Sequence, residues 1–207
     1  MKKALLFING EPPKTLPNYD EYDIIACTDG AFLYLEELGF PLKRLDFVSG
    51  DFDSHLDAFQ NIDNEDFKVI HTPDQDKTDF DKALDILLEQ GVSSVDVFGA
   101  SGGEMDHFLG NLTAAFRMKN EMEICFYDEY SAYYFVPKKF HLSGVKGKMI
   151  SLFPFPTVEK LFTKGLNWNL SGHTLSMQHR IGTRNFALED DVFVDYKSGE
   201  LLVFVGR

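Results

Sequence analysis

Residues 95–116 read VDVFGASGGEMDHFLGNLTAAF. Val95 to Phe98 is a short apolar run of strand character, and Gly99 to Gly103 is a glycine-rich turn. Met105, Phe108, Leu109, Leu112 and Phe116 then fall on one face of a helix. A strand, a tight turn and a helix in immediate succession form the unit of a mostly parallel sheet flanked by helices. The same unit recurs upstream. Ala4 to Ile8 and Ile24 to Cys27 are continuous apolar runs, as expected of strands buried on both faces. A helix follows with Phe32, Leu35 and Leu38, closed by Gly39 and Pro41. Leu45 to Val48 and Phe67 to His71 read as further strands. Phe80, Ala83, Leu84, Leu87 and Leu88 share a helix face, with Thr78 as N-cap, Asp81 as its capping-box partner and Gly91 as the stop. Ile124 to Tyr127 is expected to be the last strand of this sheet.

Beyond Tyr130 helical periodicity fades. Strand candidates follow at Tyr133 to Val136, Met149 to Phe153, Leu161 to Thr163, Thr174 to Met177, Asp191 to Val194 and Leu201 to Val205. Turn material separates them, including Ser143-Gly144, Phe153-Pro154-Phe155-Pro156, Ser171-Gly172 and Lys197-Ser198-Gly199. The expected organisation is an α/β domain over residues 1–130 and an all-β C-terminal sandwich over 131–207.

Twenty Lys plus Arg stand against 33 Asp plus Glu, a formal charge of −13. That excess repels polyanions on average and counts against a nucleic-acid or anionic-membrane partner. Cys27 and Cys125 are too few for a disulfide framework or a cysteine-rich zinc site, and read as buried thiols in a reducing compartment. The apolar run from Ala4 to Ile8 is too short for a signal peptide, and no run approaches a membrane span. A cytoplasmic protein is expected.

Ligands of parallel α/β sheets bind at the carboxyl ends of the strands. Here those ends carry acids. Asp29 follows the second strand and Asp51 and Asp53 follow the third. Asp74, Asp76, Asp79 and Asp81 follow the fourth, and Asp106 follows the glycine turn. One such residue alone is usually a turn former or helix cap. Several on one edge need a cation, and a hard divalent ion such as Mg²⁺ prefers oxygen ligands. In Gly50-Asp51-Phe52-Asp53 both carboxylates can converge on one ion while Phe52 points into the core and Gly50 allows a sharp bend. The glycine turn before a helix suits phosphate, although it also reads as a plain tight turn. His107 is either a phosphate contact or a structural residue.

Four motifs occur in order: Asp29-Gly30-Ala31; Gly50-Asp51-Phe52-Asp53-Ser54; Asp74-Gln75-Asp76-Lys77-Thr78-Asp79-Phe80; and Gly99 to Leu112, containing Gly102-Gly103-Glu104-Met105-Asp106-His107. The series resembles the thiamine pyrophosphokinase (thiamine diphosphokinase) family. The likeness continues through Lys164 to Leu170 and Gly182-Thr183-Arg184-Asn185, and so spans nearly the whole chain. The resemblance implies transfer of a pyrophosphoryl group from ATP to the hydroxyl of thiamine, giving thiamine diphosphate and AMP. It implies an ATP-binding α/β domain, a thiamine-binding β-sandwich and a homodimer with thiamine near the subunit interface. It further implies Asp51, Asp53 and Asp79 as the catalytic carboxylates and Mg²⁺ ligands, supported by Asp29. Gln75 and Thr78 would contact the triphosphate or thiamine, and with Asp29, Gly102, Asp106 and His107 they make up the implied ATP- and phosphate-binding set. Trp168, Thr183 and Asn185 would hold thiamine, although the stretch from Thr183 to Asn185 equally reads as a β-turn. One departure is Glu104, where the family often has Arg. Lys77 or Lys82 is then the expected source of positive charge. The alternatives are a pyrophosphokinase for another alcohol such as a pterin, a metal-dependent nucleotide-sugar transferase, and a nucleotide-sensing module without catalysis.

Overall fold

Lys2–Phe7 forms strand β1, and from Ala4 onward every side chain is fully buried. Consecutive burial means both faces are covered, which places β1 at the centre of a sheet. The computed structural model describes residues 1–52 and 67–207, in two compact units, Met1–Glu129 and Tyr130–Arg207. In the first unit β1 pairs in parallel with β2 (Ile24–Thr28) on one side and β5 (Val92–Phe98) on the other. Outward from β2 come β3 (Phe47–Gly50) and β4 (Lys68–His71), and beyond β5 comes β6 (Glu123–Tyr127), all parallel. The order is therefore β4-β3-β2-β1-β5-β6. Helix α1 (Asp29–Glu37) lies against β2 and β3, α2 (Asp79–Glu89) against β2, β3 and β5, and α3 (Met105–Met118) against β6 and α2. Leu5, Phe7, Ile25, Cys27 and Val48 alternate along their strands and share one cluster with Phe32 and Leu35 of α1. Each such burial contributes about 1.5–3 kcal/mol.

The order of strands reverses beside β1. The chain steps outward through β2, β3 and β4, then returns to the other side of β1 as β5. The crevice between the carboxyl ends of β1 and β5 is thus a topological switch point, where ligands of such sheets bind. The two loops there are tied by their backbones. Ile8 N donates to Phe98 O at 2.9 Å, and Glu11 N donates to Ser101 O at 2.8 Å. Gly99 adopts φ +76°, and a Cβ on it would stand 2.1 Å from the carbonyl oxygen of Ile8. No other residue fits.

The second unit is β-rich. Its strands are β7 (Ser131–Val136), β8 (Lys139–Leu142), β9 (Met149–Lys164), β10 (His173–Ser176), β11 (Gly182–Phe186), β12 (Val192–Asp195) and β13 (Ser198–Gly206). All their ladders are antiparallel, with β9 pairing with β10, β11, β12 and β13. Strand pairing over the whole chain is therefore mixed rather than mostly parallel, since the parallel ladders belong to the first unit alone. A further correction concerns Phe153-Pro154-Phe155-Pro156, expected as a turn. It runs inside β9, joining the two expected strands at 149–153 and 161–163 into one. Proline cannot donate to a ladder, and here Pro154 sits opposite Leu201, where the register with β13 shifts before Gly199. Strands β8 and β11 were not expected either.

Cys27 and Cys125 are both free. Burial pushes the Cys125 thiol up to about 12, so it stays protonated and unreactive. Among the described residues no helix is long and apolar enough to cross a membrane.

Candidate active site

Strand β2 runs directly into α1, so Asp29 sits in the helix's first turn at the carboxyl edge of the sheet. Its Oδ1 accepts from Gly30 N at 2.7 Å and its Oδ2 from Phe52 N at 3.0 Å. Burial raises its carboxyl above the ordinary value. The two backbone bonds oppose that, and the charges of Asp79 and Asp51 add to it. Asp29, Asp51 and Asp79 therefore share one electrostatic field. Gly50 matters for clearance rather than for a bend, because a Cβ there would lie 2.3 Å from the Asp29 carboxyl. The left-handed conformation falls instead on Phe52, at φ +58°. That residue turns inward as expected, 5% exposed, in the cluster beneath α1. A bulky residue at positive φ persists only where its surroundings enforce it. Asp53 lies outside the described residues.

The loop after β4 closes on the same edge. Gln75 Nε2 donates to Asp51 Oδ2 at 3.1 Å. Asp74 Oδ1 accepts from Asp76 N at 2.9 Å, a local turn contact. Thr78 caps α2 with a full capping box: its Oγ1 accepts from Asp81 N at 3.2 Å and donates to Asp81 Oδ2 at 2.8 Å. The hydroxyl is thus engaged on both sides. Asp79 opens the helix, paired at 2.7 Å with the buried ammonium of Lys82. Lys77 pairs with Asp85 at 2.6 Å, and Arg117 pairs with Asp81. Neither Lys77 nor Lys82, the expected substitutes for an arginine at position 104, is uncommitted.

On the far side of the switch point, Asn111 Nδ2 donates to Ala100 O at 2.9 Å and fastens the glycine loop to α3. Gly102 takes φ +78°. Asp106 and His107 stand in the first turn of α3, with Asp106 Oδ1 accepting from His107 N at 3.0 Å. Glu104 lies 3.2 Å from His107 Nε2. All three are exposed, and their ligand atoms lie within 4.8 Å of one another. Sequence reasoning assigned no role to the Asn9-Gly10-Glu11 loop or to Asn111, and gave Lys82 a different one, as a source of charge for the triphosphate. Asn9 lies so flat on Gly30 that a Cβ there would meet its amide at 2.3 Å. Asn-Gly directly after a buried strand was the available signal for the first.

In the second unit Trp168 is 59% exposed. Its backbone is clasped by the buried Asn185, whose Oδ1 accepts from Trp168 N at 3.1 Å and whose Nδ2 donates to Trp168 O at 2.8 Å. Asn185 thus holds the segment that presents the indole. Thr183 is exposed on β11, so this stretch is strand and not a turn.

The family profile described as thiamin pyrophosphokinase, catalytic domain, matches residues 18–126. The chain belongs to the thiamine pyrophosphokinase family. A second profile, thiamin pyrophosphokinase, vitamin B1 binding domain, matches residues 136–201. Thiamine pyrophosphokinase 1 of Arabidopsis thaliana is 30% identical, over 94% of this chain and 83% of its own length. Thiamin pyrophosphokinase 1 of Caenorhabditis elegans is 29% identical, over 96% and 86%. Thiamine pyrophosphokinase of Bacillus subtilis is 27% identical, over 89% and 94%. Among solved structures, thiamin pyrophosphokinase from Candida albicans superposes with TM-score 0.86 at 17% identity, covering 99% of this chain and 88% of that one. The Bacillus subtilis enzyme gives 0.83 at 22%, covering 98% of each. These structures share the thiamine pyrophosphokinase fold.

Proposed function

We infer that this chain is a thiamine diphosphokinase, moving the pyrophosphoryl group of ATP to the hydroxyl of thiamine. The bond from the alcohol oxygen to the β-phosphorus forms, the α–β bridging P–O bond breaks, the hydroxyl proton is released and AMP leaves. The observation that carries this reading is the placement of Asp29, Asp51 and Asp79 at one sheet edge, after β2, after β3 and at the start of α2, with Phe52 N bonded to Asp29 and Gln75 to Asp51.

That donor set fits a hard divalent cation. The ligands are carboxylate oxygens, and their mutual repulsion is relieved when a cation joins them. Asp51 and Asp79, with Asp53, would hold Mg²⁺, and Asp29 would support Asp51 through the Phe52 backbone. Mg²⁺ bound there would neutralise the phosphate oxygens and favour transfer through positioning and charge. The rest falls to the chain itself. Gln75 orients Asp51, the glycine loop with Gly102 offers backbone N–H groups toward phosphate at the start of α3, and Asp106 and His107 border that place. In the second unit, read as a β-sandwich, Trp168 offers a face on which a pyrimidine ring can stack. Trp168, Phe186 and Leu188 are all exposed, on segments linked through the Asn167 N to Phe186 O and Leu188 N to Gly165 O bonds, which supports reading the active form as a homodimer.

Incubation with ATP, Mg²⁺ and thiamine, followed by AMP detection, tests the reading. Asp51→Asn and Asp79→Asn are each expected to lower AMP release by at least about 100-fold with the fold retained, on the scale of losing a positioned electrostatic group. Unchanged turnover in both variants would sink the site assignment. Turnover with a pterin but not thiamine would move the substrate, and ATP binding without turnover would make the chain a sensor.

A further inference from the structure

Lys82 is a lysine where lysines rarely sit. Its side chain is 7% exposed, and burying an ammonium is costly unless every N–H finds an acceptor. Here three oxygens surround Nζ: Asp79 Oδ1 at 2.7 Å, Thr72 O at 2.8 Å and Asp74 O at 3.3 Å. Nζ donates to the two backbone carbonyls, and Asp79 supplies the opposing charge as an ion pair.

The partners are not arbitrary. Asp79 is reached directly, one helical turn away on the same face of α2. Asp51 is reached by two short routes. Thr72 N donates to Gly50 O at 2.8 Å, immediately before Asp51. Gln75, next to Asp74, donates to Asp51 Oδ2. One buried cation thus fixes the first turn of α2, the loop after β4 and, through that loop, the end of β3. We propose that Lys82 is a positioning residue of the pyrophosphoryl transfer, holding Asp79 and Asp51 in register for the cation they share. The proposal rests on the activity reading above. It differs from the expectation that this lysine neutralises the triphosphate, because its charge is met by Asp79 and its side chain is tied to two backbone carbonyls of the protein.

The sign of one measurement separates positioning from charge. Removing a cation beside carboxylates leaves more negative potential, which by itself tightens the binding of any added divalent ion. Losing a residue that orients metal ligands weakens it, by about 10- to 100-fold. Mn²⁺ alone, titrated into the metal-free full-length protein and followed by electron paramagnetic resonance, reads this without turnover. Lys82→Met is expected to weaken Mn²⁺ binding on that scale and to lower kcat, with KM for thiamine nearly unchanged. Lys82→Gln, whose amide can still donate to the Thr72 carbonyl, serves should the methionine variant fail to fold, and the same direction is expected. Unchanged or tighter Mn²⁺ binding in a folded variant overturns the proposal. Absence of AMP release by the unaltered chain with thiamine would instead sink the activity reading, and leaves the Mn²⁺ result free to decide the role of Lys82.

Discussion

Gly50 shows how one hydrogen atom sets a carboxylate. Asp29 occupies the volume that a Cβ on residue 50 would need, at 2.3 Å from its Cγ. Asp29 cannot simply move aside, because both oxygens are held by backbone N–H groups of Gly30 and Phe52. Gly50→Ala therefore either displaces Asp29 or opens the end of β3. The expected cost is about 1–3 kcal/mol, the scale of overpacking a filled site. AMP release should fall further than this destabilisation explains, since Asp51 is the next residue. Urea unfolding and a turnover assay on the same preparation check both. Gly110→Ala is the control, for among the described residues no atom beyond its own stretch of helix lies within 4 Å of a Cβ there, and alanine favours a helix. If Gly50→Ala behaves like Gly110→Ala, the clearance argument is wrong.

At the scale of elements, α2 carries the loop's geometry into the site, and its cap is where that geometry is set. Thr78→Ala should cost about 1 kcal/mol, the usual value of an N-cap. The informative variant is Thr78→Asn, which caps a helix as well as threonine but brings no hydroxyl. Since the hydroxyl is engaged on both sides by Asp81, Asn is expected to restore both melting temperature and turnover. Restored stability with lost turnover would return Thr78 to the phosphate contacts. This cap was legible in the sequence because Thr78 and Asp81 are three residues apart and need nothing else. The acids after β2, β3 and β4 were legible for a similar reason: a parallel sheet sends all its carboxyl ends to one edge. Two things were not. The prolines of β9 look like turn formers until a register shift in β13 accommodates them. Lys82 looks like any surface lysine of an amphipathic helix, because its partners Thr72 and Asp74 are brought to it only by the loop after β4.

At the scale of the molecule, the charge of −13 becomes a statement about the two substrates. Several of the acids crowd one edge, and those of Asp79 and Asp81 are paired with Lys82 and Arg117. Asp29, Asp74, Asp76, Glu104 and Asp106 carry no such pairing with Lys or Arg among the described residues. A field of that sign attracts thiamine, a cation, and repels the ATP polyanion. Salt screens both, with a Debye length falling from about 30 Å at 0.01 M to about 8 Å at 0.15 M. The apparent KM for thiamine should therefore rise between those ionic strengths, roughly 2- to 5-fold for a partly exposed site. The apparent KM for ATP, with Mg²⁺ held saturating, should stay level or fall. The opposite signs make each substrate the other's control, measured in one assay with one protein. If both constants rise together, salt is acting on the enzyme's stability or metal occupancy, and the acidic edge is not what recruits thiamine. If thiamine's constant rises alone, the acid excess that counts against a nucleic-acid partner also selects between the two substrates.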